Sequence, residues 1–112
     1  MLITAIVLFL IAAVGGLYMA TQIFGGRRPS GGIATLHGLL AASALIIVGW
    51  VVLQGGSSTL IVAGLGVLVV AALGGFYLLA CHLRDRPHPK PVVVIHALAA
   101  VCGVGLLAYT LL

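Results

Sequence analysis

Two histidines, His37 and His96, are the side chains of this chain best suited to chemistry, because each interrupts a long apolar run. A neutral imidazole binds a transition-metal ion through one ring nitrogen, and it exchanges protons near neutral pH. Ionisable side chains inside apolar segments are costly and usually face a protein interior or a cavity. The two histidines are therefore the candidate functional residues, and the elements that carry them decide whether they can meet.

The surrounding sequence is typical of an integral membrane protein. Hydrophobic residues make up 63% of the 112 residues, charged residues make up 5%, and the mean hydropathy is +1.39. Soluble domains carry about 25% charged residues, so this chain has too few to cover a surface that faces water. Apolar runs long enough to cross a bilayer extend over about residues 2–24, 33–53, 60–83 and 92–112. The short connections predict one all-α membrane domain, 1–112, folded as an up-down four-helix bundle.

Charge predicts how this bundle is oriented. All basic side chains lie in the first and third connections: Arg27, Arg28, Arg84, Arg86 and Lys90. The positive-inside rule makes that side cytoplasmic, so both termini lie outside an inner or plasma membrane. Trp50 and Tyr109, near the outer ends of their spans, fit an interfacial aromatic belt. Basic side chains held against a membrane favour anionic lipid as their partner and argue against nucleic acid.

The sequence contains an internal repeat. An offset of 59 residues aligns 1–53 with 60–112 without a gap, and ten of the 53 pairs are identical. The informative matches are a double glycine, a tyrosine, an arginine and a histidine: Gly15/Gly74, Gly16/Gly75, Tyr18/Tyr77, Arg27/Arg86 and His37/His96. Each copy contains two spans, so both copies enter the membrane in the same direction. The repeat therefore predicts two parallel helical hairpins, related by a pseudo-twofold axis along the membrane normal.

The repeat places His37 and His96 at one depth, about 9 Å from the basic ends of their helices. Each begins a stripe of small residues along its own helix, where close packing or an inserted group is favoured. Glycines on the first and third spans lie near the same depth: Gly15, Gly16, Gly74 and Gly75. This pattern predicts that the histidines face the bundle interior, with glycines flanking them.

Two symmetric imidazoles between glycine-bearing helices suit a flat, bulky group, and haem is the obvious candidate. We expect one haem b per chain, with His37 and His96 as axial ligands of the iron. The glycines would leave room for its ring. Its propionates would point toward the basic interface, where Arg27, Arg86 and the neighbouring cations supply charge and hydrogen bonds.

On these residues, His37 within TLHGLLAA and His96 within VIHALAAV, the chain resembles the four-helix membrane cytochromes b of the broad cytochrome b561 kind. The resemblance is one of pattern over the whole bundle. It implies one-electron exchange, with quinone or a partner subunit, and at most a membrane oxidoreductase or an electron-transfer subunit. Such bundles commonly hold two haems stacked across the membrane. This chain lacks a second histidine pair toward the outer face, which puts transmembrane electron transfer by a lone subunit in doubt.

Other interpretations remain open at this point. The histidine pair could be two satisfied polar residues in a cofactor-free structural or assembly subunit, or it could serve a metal ion, a proton relay or a quinone site. A small-solute transporter or channel, formed by oligomerisation, would need a polar path that the spans hardly offer. His82 and His88 break the repeat and are expected to be solvated, and a zinc site between them lacks further ligands. Cys81 and Cys102 are expected to be buried thiols.

Overall fold

The computed structural model describes all 112 residues as four α-helices joined by short turns. Helix α1 covers Leu2–Phe24, α2 covers Gly31–Leu53, α3 covers Thr59–Leu83 and α4 covers Lys90–Tyr109. Each is long and apolar enough to cross a membrane. The prediction of an all-α chain with four such helices is confirmed.

The helix ends follow local sequence chemistry. The turns after α1 and α3 close in the same way, with Arg27 N–H bonded to Gln22 O at 2.8 Å and Arg86 N–H bonded to Cys81 O at 2.9 Å. Each turn needs one residue with positive φ, and these are Gly26 at +75° and Asp85 at +53°. Glycine adopts that conformation without cost, and aspartate is among the few other residues that tolerate it.

Two helices differ from their predicted bounds by two or three residues at an end. Helix α2 begins at Gly31, directly after Ser30, and α4 begins at Lys90 and ends at Tyr109. Pro91 lies in the first turn of α4, where its missing N–H removes no helical hydrogen bond. The proline therefore belongs to the helix, although the sequence pattern placed it in the preceding turn.

The packing leaves α2 and α4 diagonally opposite. Helix α1 packs closely on α2, and α3 packs closely on α4; the contacts of α1 with α4 and of α2 with α3 are less extensive. Helices α2 and α4 do not approach each other directly, nor do α1 and α3. A side chain on α2 therefore meets one on α4 only across the centre of the bundle.

A cluster of seven buried side chains lies in the half of the bundle away from the basic loops. It consists of small and large apolar side chains from all four helices: Ala5, Ile6, Phe9, Ala44, Val48, Leu68 and Leu107. Only 14 of 112 residues are buried, and large apolar side chains are exposed on every helix. An exterior as apolar as the interior would aggregate in water, and it is typical of helices that lie in a bilayer.

Candidate functional site

Both histidines of the repeat are anchored by the same backbone contact. Nδ1 of His37 lies 2.7 Å from the carbonyl oxygen of Ala12, and Nδ1 of His96 lies 2.7 Å from that of Ala71. A carbonyl oxygen only accepts, so Nδ1 carries the hydrogen and donates it in each ring. In the neutral imidazole, Nε2 then keeps its lone pair. Each histidine is thus held as a tautomer that can bind a metal ion or accept a hydrogen bond through Nε2.

The glycines beside the histidines make room for the imidazoles themselves. A Cβ built on Gly16 would lie 3.0 Å from Cε1 of His37, and one on Gly75 would lie 3.1 Å from Cε1 of His96. Gly15 and Gly74 face the Cβ atoms of the same histidines at 3.8 and 3.5 Å. The glycines were predicted to leave space for a haem ring. In the structure their nearest neighbours are the two histidines.

The two imidazoles meet across the bundle. Their ring centroids lie 6.1 Å apart, and the ring planes are inclined by 75°. An ion bound by one nitrogen of each ring on opposite sides, at about 2 Å per bond, would place the centroids roughly 6 to 6.5 Å apart. Direct packing of aromatic rings gives about 4.5–7 Å. The 6.1 Å separation of the centroids is thus compatible with an ion held between the rings and with a direct aromatic contact.

A second polar cluster lies where the turns 25–30 and 84–89 meet, which we call the basic end. Arg28 forms an ion pair with Asp85 and donates a hydrogen bond to the carbonyl oxygen of His82 at 2.7 Å. The rings of His82 and His88 lie 5.8 Å apart. These contacts join the first and third turns, a connection that the sequence alone did not predict.

His82 and His88 are less solvated than the sequence suggested. Nδ1 of His82 is buried without a hydrogen-bond partner, as is Oε1 of Gln22. Burial lowers the pKa of His88 below its usual range, and electrostatic repulsion from the nearby His82 and Arg28 lowers it further. His88 is therefore neutral at pH 7. The expectation that both histidines are solvated is wrong for the buried nitrogen of His82.

The remaining predicted site residues lie apart from the histidine pair. Arg27 and Arg86 are exposed at the basic end and make no side-chain hydrogen bond. No group of three or more histidine, cysteine or acidic side chains lies close enough together to hold a metal ion, so His82 and His88 have no further ligand of this kind beside them. Cys81 is buried, as expected, but Cys102 is exposed on α4.

Sequence reasoning did not identify the backbone acceptors of the two imidazoles. Every residue offers a carbonyl group, so the side-chain pattern does not reveal which one a histidine reaches. The only available signal was that Ala12 and Ala71 are identical in the repeat and lie 25 residues before their histidines.

No protein-family model, curated protein or solved structure matches this chain.

Proposed function

We propose that this chain is a membrane cytochrome of the b type, which holds one haem b between α2 and α4 with His37 and His96 as axial ligands. The observation that carries the proposal is the matched pair of imidazoles, each fixed by a 2.7 Å contact from Nδ1 to a helix carbonyl and separated by 6.1 Å between ring centroids. When bound, haem supplies a one-electron couple between ferric and ferrous iron.

The contacts of Nδ1 support the ligand role. Metal-binding histidines nearly always donate their other ring N–H to a carbonyl, a carboxylate or water, which fixes the tautomer and increases the basicity of the ligating nitrogen. Ala12 and Ala71 supply that acceptor here. Because the acceptors belong to helices α1 and α3, the orientation of each ring is set by its own hairpin.

The glycines and the basic end support the same role. Gly16 and Gly75 let each imidazole lie close against the neighbouring helix, because no side chain stands between them. Arg27 and Arg86 carry unpaired positive charge at the basic end. Guanidinium groups there would hold the propionates, and the buried Nδ1 of His82 offers one more hydrogen-bonding group.

We also propose the architecture that places this site. The chain is an up-down bundle of two parallel hairpin copies, 1–53 and 60–112, related by a pseudo-twofold axis along the membrane normal. Equivalent residues share their surroundings: Ala5/Gly64, Phe9/Leu68, Ala12/Ala71, Ala44/Gly103 and Val48/Leu107 are all buried. The basic end faces the cytoplasm of an inner or plasma membrane, and both termini face outward.

A single haem near one face of the membrane is better placed to exchange electrons with a partner on that side than to transfer them across the membrane. The second electron partner would be quinone or another subunit, and that subunit could be a second copy of this chain. The bilayer itself is the partner of the exposed apolar surface. In these terms the chain serves as an electron-transfer subunit or, with a substrate, as a membrane oxidoreductase.

The test is an absorption spectrum of the purified protein in detergent, recorded before and after reduction by dithionite and again after haem is added. We expect a sharp Soret band and resolved α and β bands in the reduced protein, which indicate two axial nitrogen ligands. His37→Ala and His96→Ala should each remove the six-coordinate spectrum.

The matched control is the double variant His82→Ala/His88→Ala, which removes two histidines from the same end of the bundle. It should keep the spectrum. Native protein that is still colourless after haem is added would contradict the proposal. The histidines would then be packing residues of a cofactor-free subunit, for which an edge contact at 6.1 Å is sufficient.

A further inference from the structure

A pocket at the basic end is unrelated to the histidine pair. Its volume is about 410 Å³, and it lies between the last two turns of α3 and the turn that follows. Its lining includes an aromatic residue, two arginines, a small residue and two prolines: Tyr77, Arg84, Arg86, Ala80, Pro87 and Pro89. The pocket therefore combines an apolar wall with two permanent positive charges.

No carboxylate neutralises these two arginines. Asp85 is the only acidic residue of the chain, and it forms its ion pair with Arg28. Arg84 and Arg86 are both exposed, and neither makes a side-chain hydrogen bond. Guanidinium groups match the geometry of phosphate oxygens and bind them in a bidentate manner. The ligand that this pocket favours is an anion, and phosphate suits it best.

The position of the pocket relates it to lipid. Helix α3 ends at Leu83, so Arg84 and Arg86 lie just beyond the apolar span. Tyr77 lies about 10 Å before Arg84 along the helix, since each residue adds about 1.5 Å. Tyr77 is 54% exposed on the outer surface of the bundle. The pocket thus extends from the last turns of the apolar helix to the two arginines just beyond it, where the headgroups of a bilayer would be expected.

The same place in the other hairpin is not equivalent. Offset by 59 residues, Tyr77 and Arg86 match Tyr18 and Arg27, but Arg84 matches Gly25. Pro87 matches Arg28, whose guanidinium group forms an ion pair with Asp85. The first hairpin therefore lacks the second free guanidinium. One site per chain follows from this difference, although the histidine site uses both hairpins equally.

We propose that this pocket binds the headgroup of one anionic phospholipid, with Arg84 and Arg86 paired to its phosphate and its acyl chains lying along the Tyr77 side of α3. In this arrangement Arg86 serves the lipid, and Arg27 would be left to hold the propionates of the haem proposed above. Basic pockets beside membrane helices commonly bind anionic headgroups in this way.

Native mass spectrometry of the detergent-purified chain tests the proposal, with phosphatidylglycerol or phosphatidylcholine added. We expect one phosphatidylglycerol molecule per chain to be retained, in preference to phosphatidylcholine. Arg84→Gln/Arg86→Gln should weaken that retention by about 30-fold, from the loss of two cations near the headgroup. Ala80→Leu, which fills the pocket without changing charge, should weaken it too.

The matched control is Arg27→Gln/Lys90→Gln, which removes two positive charges from the same end but none from the pocket. Retention in this control should equal that of the native chain. An equal loss in both double variants would indicate general charge attraction and would overturn the site.

Two further measurements distinguish a bound lipid from the two other anions that these arginines could bind, a haem propionate and free phosphate. The variant His37→Ala/His96→Ala should retain the lipid, whereas its loss there would assign the arginines to haem propionates. Displacement of the lipid by an equal concentration of inorganic phosphate would identify a free-phosphate site, which also contradicts the proposal.

Discussion

At the scale of single residues, the histidine pair depends on glycine as much as on imidazole. Each ring is held by two contacts with the neighbouring helix: a hydrogen bond to a carbonyl oxygen, and the open surface of a glycine four residues further on. A side chain at that glycine would push the ring away from its acceptor. The orientation of Nε2 is therefore determined by residues that carry no functional group.

Substitution of the glycine tests this arrangement directly. Gly16→Ala and Gly75→Ala should each lower the melting temperature in detergent, because the new Cβ would lie 3.0 or 3.1 Å from Cε1 of the histidine. Such overpacking costs about 1–3 kcal/mol, which outweighs the gain of about 1 kcal/mol in helix propensity.

Gly66→Ala is the control, because nothing lies within 4 Å of a Cβ at that position of α3. It should leave the melting temperature unchanged or raise it. Equal effects at all three glycines would show that the imidazoles do not rest on Gly16 and Gly75.

At the scale of helices, the two hairpins achieve close packing with different residues. Where α1 meets α2, the buried small residues are Ala5 and Ala44. At the equivalent positions of α3 and α4 they are Gly64 and Gly103, and a Cβ on Gly103 would lie 2.5 Å from Cγ of Leu68. Leu68 is only 3% exposed and has little room to move. The packing of α3 on α4 thus requires glycine at position 103, because Leu68 fills the space that a side chain there would take.

Gly103→Ala should therefore destabilise the bundle by about 1–3 kcal/mol. Gly105→Ala, two residues along the same helix, should not, because no atom lies near its Cβ position. Chemical or thermal unfolding in detergent measures both.

A double-mutant cycle with Leu68, the residue that crowds Gly103, tests this explanation. Leu68→Ala creates a cavity, and Gly103→Ala should be less costly in that background because the crowded atoms are gone. Additive effects of the two changes would disprove the contact between them.

At the scale of the whole molecule, exposed apolar side chains and charged side chains occupy different parts of the surface. The exterior of the helices is apolar, whereas all basic residues lie in the turns 25–30 and 84–89 or at the adjoining start of α4. The contact of Arg28 with Asp85 and His82 joins those turns. The proposed orientation of the bundle in the membrane therefore rests on the difference between its charged end and its uncharged end.

Thiol labelling in cells checks that orientation. In a Cys81→Ser/Cys102→Ser background, Gln54→Cys in the middle turn should react with a membrane-impermeant maleimide in intact cells. Ser30→Cys, at the basic end, should react only after the membrane is permeabilised. The reverse result would overturn the orientation, and reaction of both from one side would overturn the up-down arrangement.

Much of this molecule could be predicted from its sequence, because a helix that crosses a bilayer has to be long and apolar. A helix is the only open-ended segment that satisfies its own backbone in hydrocarbon, so long apolar runs predict both the type and the number of elements. The same runs, broken by single histidines, located His37 and His96 as the candidate site. Helix ends were less predictable, since Pro91 is compatible with either the turn or the first helical residues.

Tertiary structure alone decided how those residues are used. The hydrogen bonds to Ala12 and Ala71, the contact of each ring with glycine, and the 6.1 Å separation of the two imidazole centroids all join residues that are distant in the chain. The pairing of the single acidic residue with Arg28, which leaves Arg84 and Arg86 unpaired, is of the same kind. Such contacts depend on helix rotation and approach, which composition and periodicity do not specify because apolar side chains face both lipid and core.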